Sequence, residues 1–225
     1  MKILICGEGP NDIGSIDRWS IRKESQVIQE GWLQPLLKKI LDVDVEFVVV
    51  PRNRLVSLPG RLTRKVELSG HGVKAFTAKQ RAIADGCDVV VFMVDADTRA
   101  KAEWEKKKRD IHGGFTAIPH DIRCVACVPM SASESWLLTD ANAWASMGLK
   151  NPHALPKAPE EIWGKRADPL ANHPHQVFAR LCKEAGIGDN TPNRAQLMEL
   201  TQSSSIAARC PVSFGAFVKE LLPSA

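Results

Sequence analysis

The chain has 225 residues, 44% of them hydrophobic and 25% charged, and a formal net charge of +4. This balance excludes a disordered chain or a small disulfide-stapled scaffold, and the length supplies one substantial core with room for an appended subdomain. The longest apolar run, Val89 to Val94, falls far short of the roughly 20 residues of a membrane span. Glu8 follows the first apolar run directly, so the sequence predicts neither a signal peptide nor a membrane anchor and reads as cytoplasmic.

Four runs dense in Val, Ile or Phe read as strands: Lys2 to Cys6, Val45 to Val50, Asp88 to Val94 and Cys124 to Val128. Between the first two, Gln26 to Leu41 carries apolar residues at helical spacing, with a break or late start expected at Gly31 and Pro35. Thr77 to Ala84 reads as a helix closed by Gly86, and Thr98 to Ile111 as a charged helix ending before Gly113 and Gly114. Alternating strands and helices predict an α/β fold with a mostly parallel sheet flanked by helices, and a rim of loops at the strand C-termini where ligands bind.

Past Ser131 helices take over: Ser133 to Trp144, a Pro-rich connector from Asn151 to Pro159, then His173 to Ala185, Arg194 to Thr201 and Val212 to Leu222. Asn172 is the expected N-cap of the second, with Pro174 early in the helix. The chain thus divides into a sheet domain over 1–140 and a C-terminal helical extension packed on it over 141–225. Trp136 and Trp144 read as core.

Six scattered cysteines suit reduced thiols. Cys124 and Cys127 form a lone CxxC without a second pair, and positions three apart on a strand face opposite ways, so structural thiols are expected there rather than zinc ligands. His112, His120, His153, His173 and His175 form no ligand pattern, and His173-Pro-His175 reads as a cap or surface feature. Ser131, Ser133 and Ser135 read as capping residues.

Charge is uneven. From Arg52 to Arg109 fourteen Lys and Arg stand against seven Asp and Glu, a surplus of seven that leaves the rest of the chain three negative. Such a segment suits a polyanion partner, although Lys106 to Arg109 alone fits a solvated helix face equally well.

The acidic residues of interest lie at two strand ends. The first strand runs into Gly7-Glu8-Gly9-Pro10-Asn11-Asp12, where glycines permit a tight turn that presents Glu8 at the rim. The third ends in Asp95-Ala96-Asp97, whose i and i+2 carboxylates project to the same side of an extended segment. If these strands are neighbours, Glu8, Asp95 and Asp97 make an oxygen-only cluster suited to Mg2+ or Mn2+. Helix capping near Thr98 explains Asp97 about as well.

The loop GEGPND, the run VVVFMVDADTR and the later MSASESWLLTD together resemble the TOPRIM fold, a Rossmann-like architecture, and in particular the bacterial TOPRIM-like proteins related to the nuclease half of overcoming-lysogenization-defect proteins. The resemblance covers roughly residues 1 to 140. It implies a metal-dependent nuclease, with Glu8 matching the first-motif glutamate and Asp95 and Asp97 the Asp-x-Asp as catalytic metal ligands. Asp12 and Glu134, the latter with Ser131 or Ser133 beside it, resemble the second-metal ligands of that group. Two-metal phosphodiester hydrolysis of DNA or RNA follows, with Lys74 or Arg99 as nucleic-acid-binding residues.

No GxxxxGK[ST] occurs, so the ATPase such systems use would be a separate partner, and an antiviral defence role in bacteria is what the resemblance implies. A homo-oligomer is compatible with it. The chain has no Tyr, which excludes a covalent Tyr–DNA mechanism by this polypeptide. Two other readings stay open: a primase-like nucleotidyl transferase, and a non-catalytic regulatory or scaffold subunit that binds a partner protein or nucleic acid.

Overall fold

The computed structural model describes residues 1–16, 27–55, 68 and 70–222. Gln26, at the start of an expected helix, and Arg61, Arg64, Lys65 and Glu67, counted in the basic segment, lie outside the described residues.

The four expected strands form: β1 (Lys2–Gly7), β4 (Glu46–Pro51), β5 (Val89–Met93) and β6 (Arg123–Cys127), all parallel, in the order β4-β1-β5-β6. A short antiparallel pair, β2 (Ser15–Ile16) and β3 (Val27–Gln29), stands apart from this sheet. With helices on the faces of the parallel sheet, the architecture is a Rossmann-like α/β fold. From β1 the chain first adds β4 on one side and then β5 on the other. The direction therefore reverses at β1, and the crevice between the C-terminal ends of β1 and β5 is a topological switch point, where ligands bind in open α/β sheets.

Side-chain alternation sorts the strands into two cores. Ile3, Ile5, Val89, Val91, Met93, Val125 and Cys127 face one side; Leu4, Cys6, Val90, Phe92 and Ala126 face the other. Cys127 and Cys124 accordingly pack on opposite faces, as expected for free thiols on a strand. The first face is covered by α2 (Leu33–Leu41) and by helices from the C-terminal part: α5 (Glu134–Leu137), α6 (Ala141–Ser146), α7 (Pro174–Ala185), α8 (Thr191–Leu200), α9 (Ser203–Arg209) and α10 (Pro211–Leu221). Trp136 and Trp144 are fully buried there, on separate helices, with their indole N–H groups donating to Ser213 Oγ and Leu137 O. The second face is covered by α3 (Gly70–Ala84) and α4 (Lys101–Thr116).

Several helix boundaries differ from the sequence expectation, each for a tertiary reason. Val27–Gln29 is extended because it pairs with β2, and the helix begins at Leu33, the late start expected between Gly31 and Pro35. Helix α3 starts seven residues before Thr77, its first amides held by Asp110, whose Oδ2 accepts from His71 N and Gly72 N. Helix α4 runs through Gly113 and Gly114 instead of stopping there. A Cβ at Gly114 would lie 2.0 Å from Gly72 O, so this glycine lets two helices touch rather than ending one. The single helix expected from Ser133 to Trp144 is split into α5 and α6, with Asp140 capping the second. The N-cap of α7 is His173 rather than Asn172; its Nδ1 accepts from His175 N.

No helix among the described residues is long and apolar enough to cross a membrane.

Candidate functional site

Strand register brings the site together. Gly7 pairs with Pro51, so Glu8 and Arg52 leave the sheet side by side, and Arg52 Nη1 lies 2.7 Å from Glu8 Oε1. On the other side of β1, Cys6 pairs with Phe92, which places Asp95 just beyond the sheet edge at the switch point. Gly7 is required where it stands, because a Cβ there would meet Ile13 Cγ2 at 2.5 Å; Gly9 has open space around it. Turn α1 (Pro10–Ile13) packs back over β1 and carries Asp12 inward.

Asp12 is fixed by long-range donors: Trp32 Nε1 at 2.7 Å and Ser133 Oγ at 3.2 Å, both to Oδ1. Burial pushes its carboxyl up to about 6, with Trp32 opposing and Glu134 adding to the rise. Asp95 continues the alternation of Met93 toward the same face. It is half-buried as a residue, but its Oδ1 is fully enclosed and accepts no hydrogen bond. Burial raises its carboxyl well above the usual carboxylate range, and Asp12, Glu134, Asp97 and Glu8, in that order, raise it further. The four other predicted carboxylates thus all act on this one buried group.

They do not act equally. Backbone ladder bonds continue past Met93, from Val94 N to Cys127 O and from Ala96 N to Pro129 O, but Asp97 turns left-handed with φ 52°. The Asp97 side chain is 60% exposed while Asp95 turns inward, so the expectation that both project to one side fails at the turn. Ser131 is also left-handed, with φ 67°, and the two loops exchange backbone bonds: Asp97 N to Ser131 O at 3.1 Å and Ser131 N to Thr98 O at 2.9 Å. Left-handed non-glycine residues cost about 1–2 kcal/mol each, a strain concentrated here at the rim. Lys107 Nζ steadies the same loop by donating to Asp95 O and Ala96 O at 2.8 and 2.9 Å.

The capping readings fail. Helix α4 is N-capped by Ala100 with no side-chain bond, and Thr98 Oγ1 rather than an aspartate accepts from Ala100 N. Nor do the serines cap α5 through their side chains. Ser131 Oγ donates to Ile162 O, Ser135 Oγ to Met130 O, and Ser133 Oγ to Asp12.

Glu134 is buried and already engaged: its Oε1 lies 2.8 Å from Arg194 Nη2 and 3.0 Å from His175 Nδ1. Burial alone would raise its carboxyl, but the His175 bond and the Arg194 charge bring it down to about 2. The same contact raises His175 above the ordinary imidazole value. Arg194 is locked in turn by Asp189, at 2.6 and 3.0 Å, and lies over the Phe178 ring. Sequence reasoning missed Arg52, Lys107 and Arg194 and dismissed His175. Only Arg52 had a local signal, as the residue leaving a strand end beside Glu8's strand.

Lys74 and Arg99 are not brought to the carboxylates in the same way. Lys74 Nζ donates to Leu55 O, and the exposed Arg99 lines a cleft with Lys101, Met130, Glu160, Glu161 and Val212. The donor set at the switch point is all oxygen, and the enclosed Asp95 Oδ1 lacks a partner, which fits a hard divalent cation. Among the described residues, no three His, Cys, Asp or Glu side chains form a ready-made metal cage. No family model matches the chain, and comparison with curated proteins and with solved structures returns no match.

Proposed function

We propose that this chain is a magnesium-dependent TOPRIM-type nuclease that hydrolyses phosphodiester bonds in DNA or RNA. In this reading it works in the bacterial cytoplasm as the effector of an anti-phage system, with a separate ATPase as partner. One observation supports the metal-binding half of the reading above the rest: a buried carboxylate oxygen with no donor, Asp95 Oδ1, at a switch point where four further carboxylates raise its proton affinity. A purely structural aspartate there would be expected to have a hydrogen-bond donor. The nuclease and defence terms rest on the resemblance of the Glu8 and Asp95-Ala96-Asp97 motifs.

Glu8, Asp12, Asp95 and Asp97 would hold magnesium or manganese, with Glu134 behind them. The bound cation would neutralise phosphoryl oxygens and lower the pKa of water. The chain's own residues do the rest. Burial and the neighbouring carboxylates raise the proton affinity of Asp95, and Trp32 and Ser133 orient the Asp12 carboxyl. Lys107 sets the position of the Asp95 backbone.

A second reading has specific support. Glu8 and Glu134 are both ion-paired to arginines, and no metal cage is preformed among the described residues, which suits a binding subunit that keeps the fold without cutting. Incubating labelled DNA and RNA, tRNA included, with magnesium or manganese separates the two. The nuclease reading expects cleavage that falls roughly a hundredfold or more in Asp95→Asn with the unfolding midpoint retained. Undiminished cleavage by that variant would sink the assigned site, and silence of the wild type across the panel favours the binding subunit.

A further inference from the structure

We infer that Arg52 is the residue that meets the phosphodiester under attack, a guanidinium fork held ready beside the acidic switch point. The inference deepens the nuclease reading and rests on it.

The placement follows from the sheet. Pairing of Gly7 with Pro51 makes Arg52 the first residue beyond β4, at the same rim as Glu8 and with only β1 between it and β5. Its Nη1 touches Glu8 Oε1 at 2.7 Å and approaches His71 Nδ1 at 3.5 Å, while the other donors of the fork have no hydrogen-bond partner among the described residues. A guanidinium presents five N–H groups in a plane that matches two phosphate oxygens, so a fork using one nitrogen keeps capacity for a second anion.

The neighbouring cations are committed elsewhere. Lys107 spends its ammonium on the carbonyls of Asp95 and Ala96, Lys74 on Leu55 O, and Arg194 is buried and ion-paired to both Asp189 and Glu134. The Arg52–Glu8 pair is different. Its side chains are 31% and 49% exposed, and ion pairs of such exposure contribute little to stability. Exchanging the Glu8 carboxylate for a phosphodiester therefore costs little, and it leaves the guanidinium within reach of the groups that hold the cation.

In the reaction, a water oxygen forms a bond to phosphorus and the ester P–O bond breaks, its electron pair leaving with the departing oxygen. The proton lost by water is balanced by the proton gained by that oxygen, through solvent. Arg52 keeps all its protons throughout and donates hydrogen bonds to the non-bridging oxygens, where negative charge accumulates.

The test compares the full-length wild type with Arg52→Met, Arg52→Lys and, as a control, Arg81→Met, an exposed residue paired with Asp85 at the far end of α3. Cleavage is followed in magnesium. Binding of short labelled DNA and RNA is followed in calcium across a range of salt. Arg52→Met is expected to lower kcat roughly a hundredfold and to reduce the slope of log affinity against log salt by about 1, with an unchanged melting temperature. Arg52→Lys should restore the slope but not the rate, because it keeps the charge and loses the fork. Wild-type kcat and slope in Arg52→Met would overturn the inference while leaving the nuclease reading standing. A wild type that neither binds nor cuts any nucleic acid removes both.

Discussion

Asp95 and Asp140 are aspartates drawn into the same molecule's interior, one at the sheet rim and one among the C-terminal helices. Asp140 is 4% exposed and accepts from four groups: Asn142 N and Ala143 N at the start of α6, and Gln202 N and Ser205 Oγ at the start of α9. Burial alone would raise its carboxyl, yet these donors bring it below the ordinary value. Glu160 is treated similarly, taking Val212 N, Ser213 N and Ser213 Oγ at the start of α10. Asp95 has an enclosed oxygen with no donor and four carboxylates acting on it. The helical half uses buried charge to finish its own backbone; the rim leaves buried charge unfinished. Unsatisfied buried charge destabilises the fold, so its concentration at a switch point marks the region where an external cation or ligand has most to offer.

The largest effect that would sharpen this contrast is expected at Asp140. Asp140→Ala removes the acceptor shared by donors at two helix starts and should lower unfolding stability by about 2–4 kcal/mol in urea titrations. A loss under about 0.5 kcal/mol, the scatter of ordinary surface substitutions, would break the comparison from the helical side.

A second effect is in pH. The Asp12 carboxyl is raised from 3.8 to about 6 in the fold, so its favourable contribution is complete below about pH 4 and is lost as pH rises through 6. Glu134 has the opposite sign: held at about 2 rather than 4.5, it contributes above about pH 4.5 and loses that contribution as pH falls. Without divalent cations, Asp12→Asn should therefore gain on the wild type by up to about 3 kcal/mol between pH 4 and pH 7. Stability curves for the two proteins that run parallel over that interval would contradict the assigned environment.

The smallest effect is at Asp95 itself. In the absence of metal, Asp95→Asn removes a carboxylate that four others oppose, and stability at neutral pH should rise or hold within about 1 kcal/mol. Marked destabilisation would mean that the Asp95 carboxylate is structural after all, like Asp140.

Much of the fold was legible before the structure. Continuous runs such as Val89 to Val94 can satisfy their surroundings only as strands buried on both faces, and all four strands formed within a residue or two of expectation. Breakers misled where tertiary contact gave glycine another use: Gly114 reads locally as a stop, yet it lets α3 and α4 approach closely. The site was legible in part. Glu8 and Asp95 announce themselves at strand ends, but Asp97 left the predicted side because the chain turns left-handed there to bond Ser131 in another loop.

The sequence by itself determined the residue chemistry and the rim: period-two strands fix which positions face which core, and parallel order fixes which loops share an edge. Only the tertiary structure decided what each charge experiences. Asp12 and Ser133 are 121 positions apart, Glu134 and Arg194 are 60 apart, and Glu134 and His175 are 41 apart. Burial and Coulomb interaction depend on distance through space, so whether a carboxylate is satisfied, paired or left open becomes definite only when the helices close over the sheet.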